Sequence, residues 1–266
     1  MKKIFFTLFV AMMAMTATAQ SVTVYEKATP VGFNVSDIDS IIFSAEKANN
    51  PTYQTLDGKR IVDAHWLSLG TSITWYNDNV SSAFTKGYQT RVLERLAFKQ
   101  FTNKGVNAGV LSSAKGQVIK ADYYTIEHGV NDWGHSTPVG TIDDYINNTQ
   151  NGTFAANYRE LIDAIYKANP KAMIILCTPR KSYGFGTYLP AHWYDQFNGI
   201  YLKDYADIIK EIAAYESLPV ADWFSLCGNQ TNLAKLSIDQ ALHPNDDGYQ
   251  LMANVLLQAF EQALIH

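Results

Sequence analysis

From about Gly58 to the C-terminus, strand-like and helix-like stretches take turns, and this alternation limits the possible folds more than any other property of the chain. The strand candidates are residues 62–69, 100–106, 121–128, 172–178 and 218–224. Helical periodicity fills the gaps between them. Phe154, Tyr158, Leu161, Ile162 and Ile165 recur at three- and four-residue steps, and the pattern stops at Asn169-Pro170. Phe197, Tyr201, Tyr205, Ile208 and Ile212 repeat it, and a last helix from about Gly248 turns Tyr249, Met252, Val255, Leu256 and Phe260 inward. Parallel strands need a long crossover, and a helix supplies it while covering one face of the sheet. The expectation is an α/β fold with a parallel sheet between two helical layers.

The N-terminal region follows other rules. Lys2 and Lys3 precede an apolar stretch from Ile4 to Met15, and Ala17-Thr18-Ala19 gives a small-x-small cleavage site. Residues 1–19 therefore read as a signal peptide, and the mature protein is expected to be exported to the periplasm or beyond. The apolar stretch is shorter than a membrane span, and no cysteine follows the cleavage site to carry a lipid. Val22 and Val24, then Val31, Phe33 and Val35, alternate with polar residues. Residues 20–57 thus read as a small β appendage and linker, with Thr29-Pro30 as a turn and Ile41-Ile42-Phe43 as its close.

Composition narrows the function classes. A chain of 266 residues that is 47% hydrophobic has core enough for one large domain. A net charge of −4 without a Lys/Arg cluster argues against a nucleic-acid surface. The six histidines show no paired metal-ligand spacing, so neither a metal nor a cofactor is expected. Cys177 and Cys227 each fall near a strand end, as neighbours that could pair or as buried free thiols. The sequence carries no signal for an oligomeric state.

Three strand ends carry polar groups that chemistry could use. His65 to Leu69 suits a buried strand, Gly70 breaks it, and Ser72 then falls at the carboxyl edge of the sheet, where open α/β sheets bind ligands. A serine hydroxyl is a weak nucleophile and needs a base and an oxyanion-stabilising group. The run Tyr123 to His128 enters Gly129 and then Asn131-Asp132, which places a side-chain amide at a second strand end. His243 precedes Pro244, which pushes its backbone towards an extended conformation on a loop, and Asp239 is near enough to orient its ring. Each has a plainer reading alone: Asn and Asp are turn residues, and a loop histidine is usually a surface one.

Taken together, these stretches resemble the GDSL, or SGNH, hydrolase family over roughly residues 60–265. Gly70-Thr71-Ser72 is similar to the family's Gly-Asp-Ser block, Gly129-Val130-Asn131-Asp132 matches its Gly-x-Asn-Asp block, and Asp239…His243-Pro244-Asn245 is similar to its Asp-x-x-His-Pro block. The resemblance implies an SGNH-type hydrolase domain over residues 58–266 with a five-stranded, parallel, flavodoxin-like sheet. It also implies Ser72 as nucleophile, His243 as base and Asp239 as its orienting partner. The oxyanion would be received by Ser72, Asn131 and either Ala108 or Gly109. Three departures stand out. Thr71 replaces the aspartate of the first block. The stretch Asn103-Lys104-Gly105-Val106-Asn107-Ala108-Gly109 leaves the oxyanion glycine in register with Ala108 or Gly109. The family's aspartate lies three residues before the histidine, at Gln240 here, whereas Asp239 lies four before it. Either a local bulge restores the contact, or a backbone carbonyl orients His243.

The expected activity is hydrolysis of a carboxylic ester through an acyl-enzyme, on a small-molecule or carbohydrate ester. Aromatics in presumed loops (Trp75, Tyr76, Trp133, and several between Arg180 and Tyr194) favour a short acyl group on a sugar. Trp75, His128 and Trp133 are the candidates for a substrate pocket, and residues 180–194 for the loop that selects substrate. The alternatives are a lipase or thioesterase for longer chains, or a non-catalytic carbohydrate-binding protein on the same fold. A nucleotide-binding protein is disfavoured, since Gly70-Thr71-Ser72 fits neither a dinucleotide fingerprint nor a phosphate loop.

Overall fold

The computed structural model describes residues 21–26, 29–34 and 61–265 other than 81, 230, 240 and 241, with the backbone alone for residues 21–34 and 265. The expected signal peptide, the Ile41–Phe43 stretch and the linker lie outside the described residues. The chain divides into two compact units between Glu46 and Lys47. In the first, β1 (Ser21–Glu26) and β2 (Thr29–Asn34) form an antiparallel ribbon with Glu26 opposite Thr29. Thr29 and Pro30 belong to β2 rather than to the turn. Proline is tolerated at the start of a ribbon strand, where its missing N–H need not leave a gap in a ladder.

The second unit resolves the alternation into five parallel strands. These are β3 (His65–Gly70), β4 (Gln100–Gly105), β5 (Tyr123–Glu127), β6 (Met173–Cys177) and β7 (Val220–Ala221), in the order β4-β3-β5-β6-β7. The chain reverses its direction of growth at β3 and β5, and such a switch point opens a crevice at the carboxyl ends of those two strands. In β3, Trp66, Leu67, Ser68 and Leu69 are all fully buried, as expected for a strand covered on both faces. Trp66 and Ser68 face one layer, where Trp66 meets Phe260 edge-on at 5.2 Å and Ser68 meets the Tyr88 hydroxyl. Leu67 and Leu69 point to the other side by strand alternation.

The described helices are α1 (Ser72–Trp75), α2 (Tyr88–Leu93), α3 (Leu111–Ala114), α4 (Val130–Gly134), α5 (Ile142–Ile146), α6 (Phe154–Ala168), α7 (Leu202–Glu216), α8 (Trp223–Leu226) and α9 (Asp246–Ile265). Helix α6 starts where the Thr153 side chain accepts from Ala156 N–H and buries the periodic face read from the sequence. Two boundaries differ from expectation. Phe197 is not helical: it pairs with Ile200 across a turn in which Asn198 and Gly199 both have positive φ, so α7 begins at Leu202. Strand β7 is two residues long because Asp222 leaves the sheet to cap α8, accepting from Ser225 N–H and the Thr178 hydroxyl. Cys177 and Cys227 are buried free thiols, and burial raises both, Cys227 to about 12.

Candidate active site

The end of β3 is a crowded turn. Thr71 caps the single-turn helix α1, its hydroxyl accepting from Ile73 N–H at 3.3 Å, and Ser72 is the first helical residue. A Cβ at Gly70 would lie 2.8 Å from Glu127 Oε2, so only glycine lets the turn approach β5 this closely. Ser72 Oγ stands 3.0 Å from His243 Nε2, and both side chains are buried. On the other side of the ring, His243 Nδ1 lies 2.6 Å from Asp239 Oδ2. The loop closes on itself to achieve this: Ile238 N–H donates to His243 C=O at 2.9 Å, and Asp239 Oδ1 accepts from Leu242 N–H at 2.8 Å and His243 N–H at 3.1 Å. The Asp239 carboxylate therefore meets Nδ1 across a four-residue separation. Tyr76 and Phe185 flank the imidazole edge-on, with ring centroids 5.0 Å and 5.5 Å away.

In the glycine block, Ala108 and Gly109 differ in what their N–H groups meet. Gly109 N–H donates to Val106 C=O at 2.9 Å, closing a turn, so it is committed and is not the free donor that one register expected. Ala108 has φ +57°, a conformation in which glycine is at ease, and its N–H has no partner among the described residues. The N–H of Ser72, at the start of α1, is likewise without one. Asn131 follows β5 on α4 and donates through Nδ2 to Gly109 C=O at 2.9 Å, which leaves the second amide hydrogen over. Next to it, Asp132 accepts from Leu111 N–H at 3.1 Å and Gly129 N–H at 3.2 Å, and burial lifts its carboxyl to about 6. Asn131 and Asp132 thus hold the segment 109–111 at two points.

The pocket candidates fare unevenly. Trp133 is fully buried and donates to Ile200 C=O, so it is a packing residue. His128 is also buried; desolvation lowers its imidazole to about 3, which keeps it neutral beside the Gly109 backbone. Neither is presented to solvent. Trp75 is half-buried and meets Tyr76 edge-on at 5.3 Å, one ring removed from His243. The segment 180–194 forms a closed loop, with Tyr183 bridged to His192 and Gly184 N–H donating to Ala191 C=O. Phe185 reaches His243 from it, while the Tyr188 hydroxyl donates to Asn131 C=O at 3.3 Å.

Two buried charged residues at the site carried no motif. Arg180 donates through Nη2 to Ser237 Oγ at 2.6 Å and Leu242 C=O at 3.2 Å, bracing the loop that carries His243. Glu127, at the end of β5, accepts from Thr71 and Thr74 on either side of Ser72. A glutamate closing an otherwise apolar strand is the signal that could have flagged it, since unpaired carboxylates are rarely buried.

A hydroxyl, an imidazole and a carboxylate in line, beside a side-chain amide at a sheet switch point, make a serine-hydrolase constellation. Residues 68–251 match the model of the GDSL-like lipase/acylhydrolase family, and the chain belongs to that family of ester hydrolases. Among solved structures it is similar to a possible lipase from Chitinophaga pinensis DSM 2588, with 28% identity, TM-score 0.65, and 77% of this chain and 100% of that chain covered. A lipolytic G-D-S-L family member from Veillonella parvula DSM 2008 shares 19% identity with TM-score 0.52, over 74% of this chain and 98% of that one. A catalytic mutant of an acetylxylan esterase from Geobacillus stearothermophilus shares 18% identity with TM-score 0.51, over 74% of this chain and 94% of that one. The comparison with curated proteins gave no match. No helix among the described residues is long and apolar enough to cross a membrane.

Proposed function

We propose that this acylhydrolase uses Ser72, His243 and Asp239 as a catalytic triad on a short-acyl ester, an O-acetyl group carried by a carbohydrate. The observation that carries the reading is the unbroken line Asp239–His243–Ser72, with contacts of 2.6 Å and 3.0 Å. Ser72 Oγ attacks the ester carbonyl carbon while His243 Nε2 takes its proton. The oxyanion is received by the N–H groups of Ser72 and Ala108 and the remaining Nδ2 hydrogen of Asn131. His243 then gives the proton to the departing alcohol, and a water molecule repeats the sequence on the acyl-enzyme. Asn131→Ala removes one oxyanion donor and is expected to lower kcat by roughly 100- to 1000-fold with KM little changed. Steady-state kinetics on p-nitrophenyl acetate, with melting curves as a control for the lost Gly109 contact, check this.

The sugar leaning draws support from the aromatic rings at the imidazole. Phe185 is 42% exposed while touching His243, which suits a platform for a sugar face. The pattern of residues 1–19 supports export, where polysaccharide esters are met. A panel of acetyl, butyryl and octanoyl esters together with acetylated xylan and other acetylated polysaccharides tests the substrate. The expected result is fastest turnover of acetyl esters and release of acetate from polysaccharide. A preference for octanoyl esters overturns it in favour of a lipase-like activity.

A further inference from the structure

Glu127 is a carboxyl group in a place where a parallel strand normally holds an aliphatic side chain. It is 1% exposed and takes no part in the bond-making described above. Its Oε2 accepts from Thr71 N–H at 2.9 Å, from the Thr71 hydroxyl at 2.8 Å and from the Thr74 hydroxyl at 3.0 Å. These donors bracket Ser72, one residue before it and two after. The close approach at Gly70 belongs to the same arrangement, since any larger residue there would displace Oε2.

Hydrogen bonds further back run towards the same oxygen. Trp66 Nε1 donates to Thr125 Oγ1 at 3.0 Å, and Thr125 donates to Ser68 Oγ at 3.1 Å. Ser68 and Tyr88 lie 3.0 Å apart, and Tyr88 and Thr74 2.9 Å apart. Each hydroxyl has one hydrogen. Thr74 gives its own to Glu127, so Tyr88 donates to Thr74 and Ser68 to Tyr88. A one-way chain of donors ending on one oxygen needs an acceptor there, while the other carboxyl oxygen, Oε1, is buried without a partner among the described residues.

We infer that Glu127 is a positioning residue whose carboxylate fixes the Gly70–Thr74 turn, so that Ser72 Oγ meets His243 Nε2 in attacking geometry. The inference rests on the reading of Ser72 as nucleophile. It also accounts for Thr71: where the resembling block has a carboxylate on the turn, this chain has a hydroxyl there and brings the carboxylate from the next strand. A reacting atom misplaced by about 1 Å can lose about 100-fold in rate.

The titratable groups facing Glu127 are Tyr88 from α2, Asp132 from α4, Tyr158 from α6, Cys177 from β6 and Tyr249 from α9. Burial raises Glu127 from 4.5 to about 7, against the pull of the Thr71 and Thr74 hydrogen bonds. Because the folded value lies above the unfolded one, the stability tied to its protonation is fully present below about 4.5 and lost as the pH rises through about 7. At pH ~8 the native protein holds an ionised buried carboxyl, and glutamine removes the charge but gives the three donors a neutral, weaker acceptor and leaves its NH₂ at the partnerless place of Oε1.

The experiment compares full-length wild type and Glu127→Gln by kcat and KM on p-nitrophenyl acetate over a range of pH, by melting at pH ~8, and by fluorophosphonate labelling of Ser72. The expected result is a kcat lower by about 100-fold with KM within about threefold. Melting at pH ~8 shows that the variant is folded, and the ionisation near 7 disappears from the acid limb of the kcat profile. Should Glu127→Gln fail to fold, Thr74→Val, which deletes one donor, gives the same readout with a roughly tenfold fall. A smaller fall than that in either folded variant, or an unchanged acid limb, overturns the inference. A Ser72→Ala protein with wild-type turnover would instead defeat the serine reading, whereas a labelled, required Ser72 beside a fully active Glu127→Gln would defeat only the role of Glu127.

Discussion

Ser72→Ala is expected to lower kcat on p-nitrophenyl acetate by roughly 10⁵- to 10⁶-fold, and His243→Ala by a similar factor. The alanine deletes the oxygen proposed to form the acyl-enzyme, Ser72 Oγ, which lies 3.0 Å from His243 Nε2. The imidazole loss has the same effect by leaving that hydroxyl without its base. Because the two act in one step, the double variant Ser72→Ala/His243→Ala should fall no further than either single one. Residual turnover above water would come from oxyanion donors that neither change touches. Fluorophosphonate should label wild type and leave Ser72→Ala unlabelled. Wild-type turnover by Ser72→Ala would sink the assignment.

Three loops meet at this site, and each is held from beneath by a buried ionisable group on another segment. Glu127 gathers the turn that carries Ser72, Asp132 accepts from Leu111 beside the Ala108 turn, and Arg180 holds Ser237 and Leu242 next to His243. Burying such groups costs stability, and the backbone and hydroxyls of the chemical loops offset only part of it, since Glu127 Oε1 and Arg180 Nε and Nη1 are buried without a partner among the described residues. The consequence is precise placement on rigid strand ends without a metal cluster among the described residues. Beyond Arg180, segment 180–194 also meets the site through Phe185 at His243 and Tyr188 at Asn131.

Much of this was readable from the chain because the strongest signals are local. A strand that ends in glycine and then offers a polar side chain needs only a dozen residues to recognise, which is why Ser72 and Asn131 stand out as candidates and why the five strands lie within a few residues of where the sequence puts them. The sequence is silent where a distant partner decides. Glu127 contacts Thr71 56 positions away, and Arg180 contacts Ser237 57 positions away, so no local pattern exposes either pairing. His128 and Trp133 look suitable for a pocket by position, but which side of a strand end faces the crevice depends on packing. Strand β7 is shorter than its sequence suggests, because the contacts that Thr178 makes with Asp222 and Phe224 come from a neighbouring strand end. Ala108 and Gly109 differ in a way no local pattern shows, since a turn takes up the Gly109 N–H with Val106 C=O and leaves Ala108 at positive φ.

Asp239→Asn should reduce kcat by about 10⁴-fold with the fold intact, a size borrowed from the equivalent change in a serine protease triad. The reason lies in what the other carboxylate oxygen does. Asp239 Oδ1 accepts from Leu242 N–H and His243 N–H, and an asparagine that kept its oxygen on those donors would turn its NH₂ towards His243 Nδ1. Flipping the amide would satisfy Nδ1 only by setting NH₂ against two backbone donors, so the first orientation wins. Nδ1 must then be an acceptor, which moves the ring proton to Nε2 and points it at Ser72 Oγ, where a base is needed. Asp239→Ala differs, because it leaves both backbone donors unpaired and should lower the melting temperature as well. Nitrogen NMR of the His243 ring would report the tautomer directly, alongside kcat and melting for both variants. If Asp239→Asn keeps more than a tenth of wild-type kcat, Ser72 and His243 suffice as a dyad and the carboxylate serves only to close the loop.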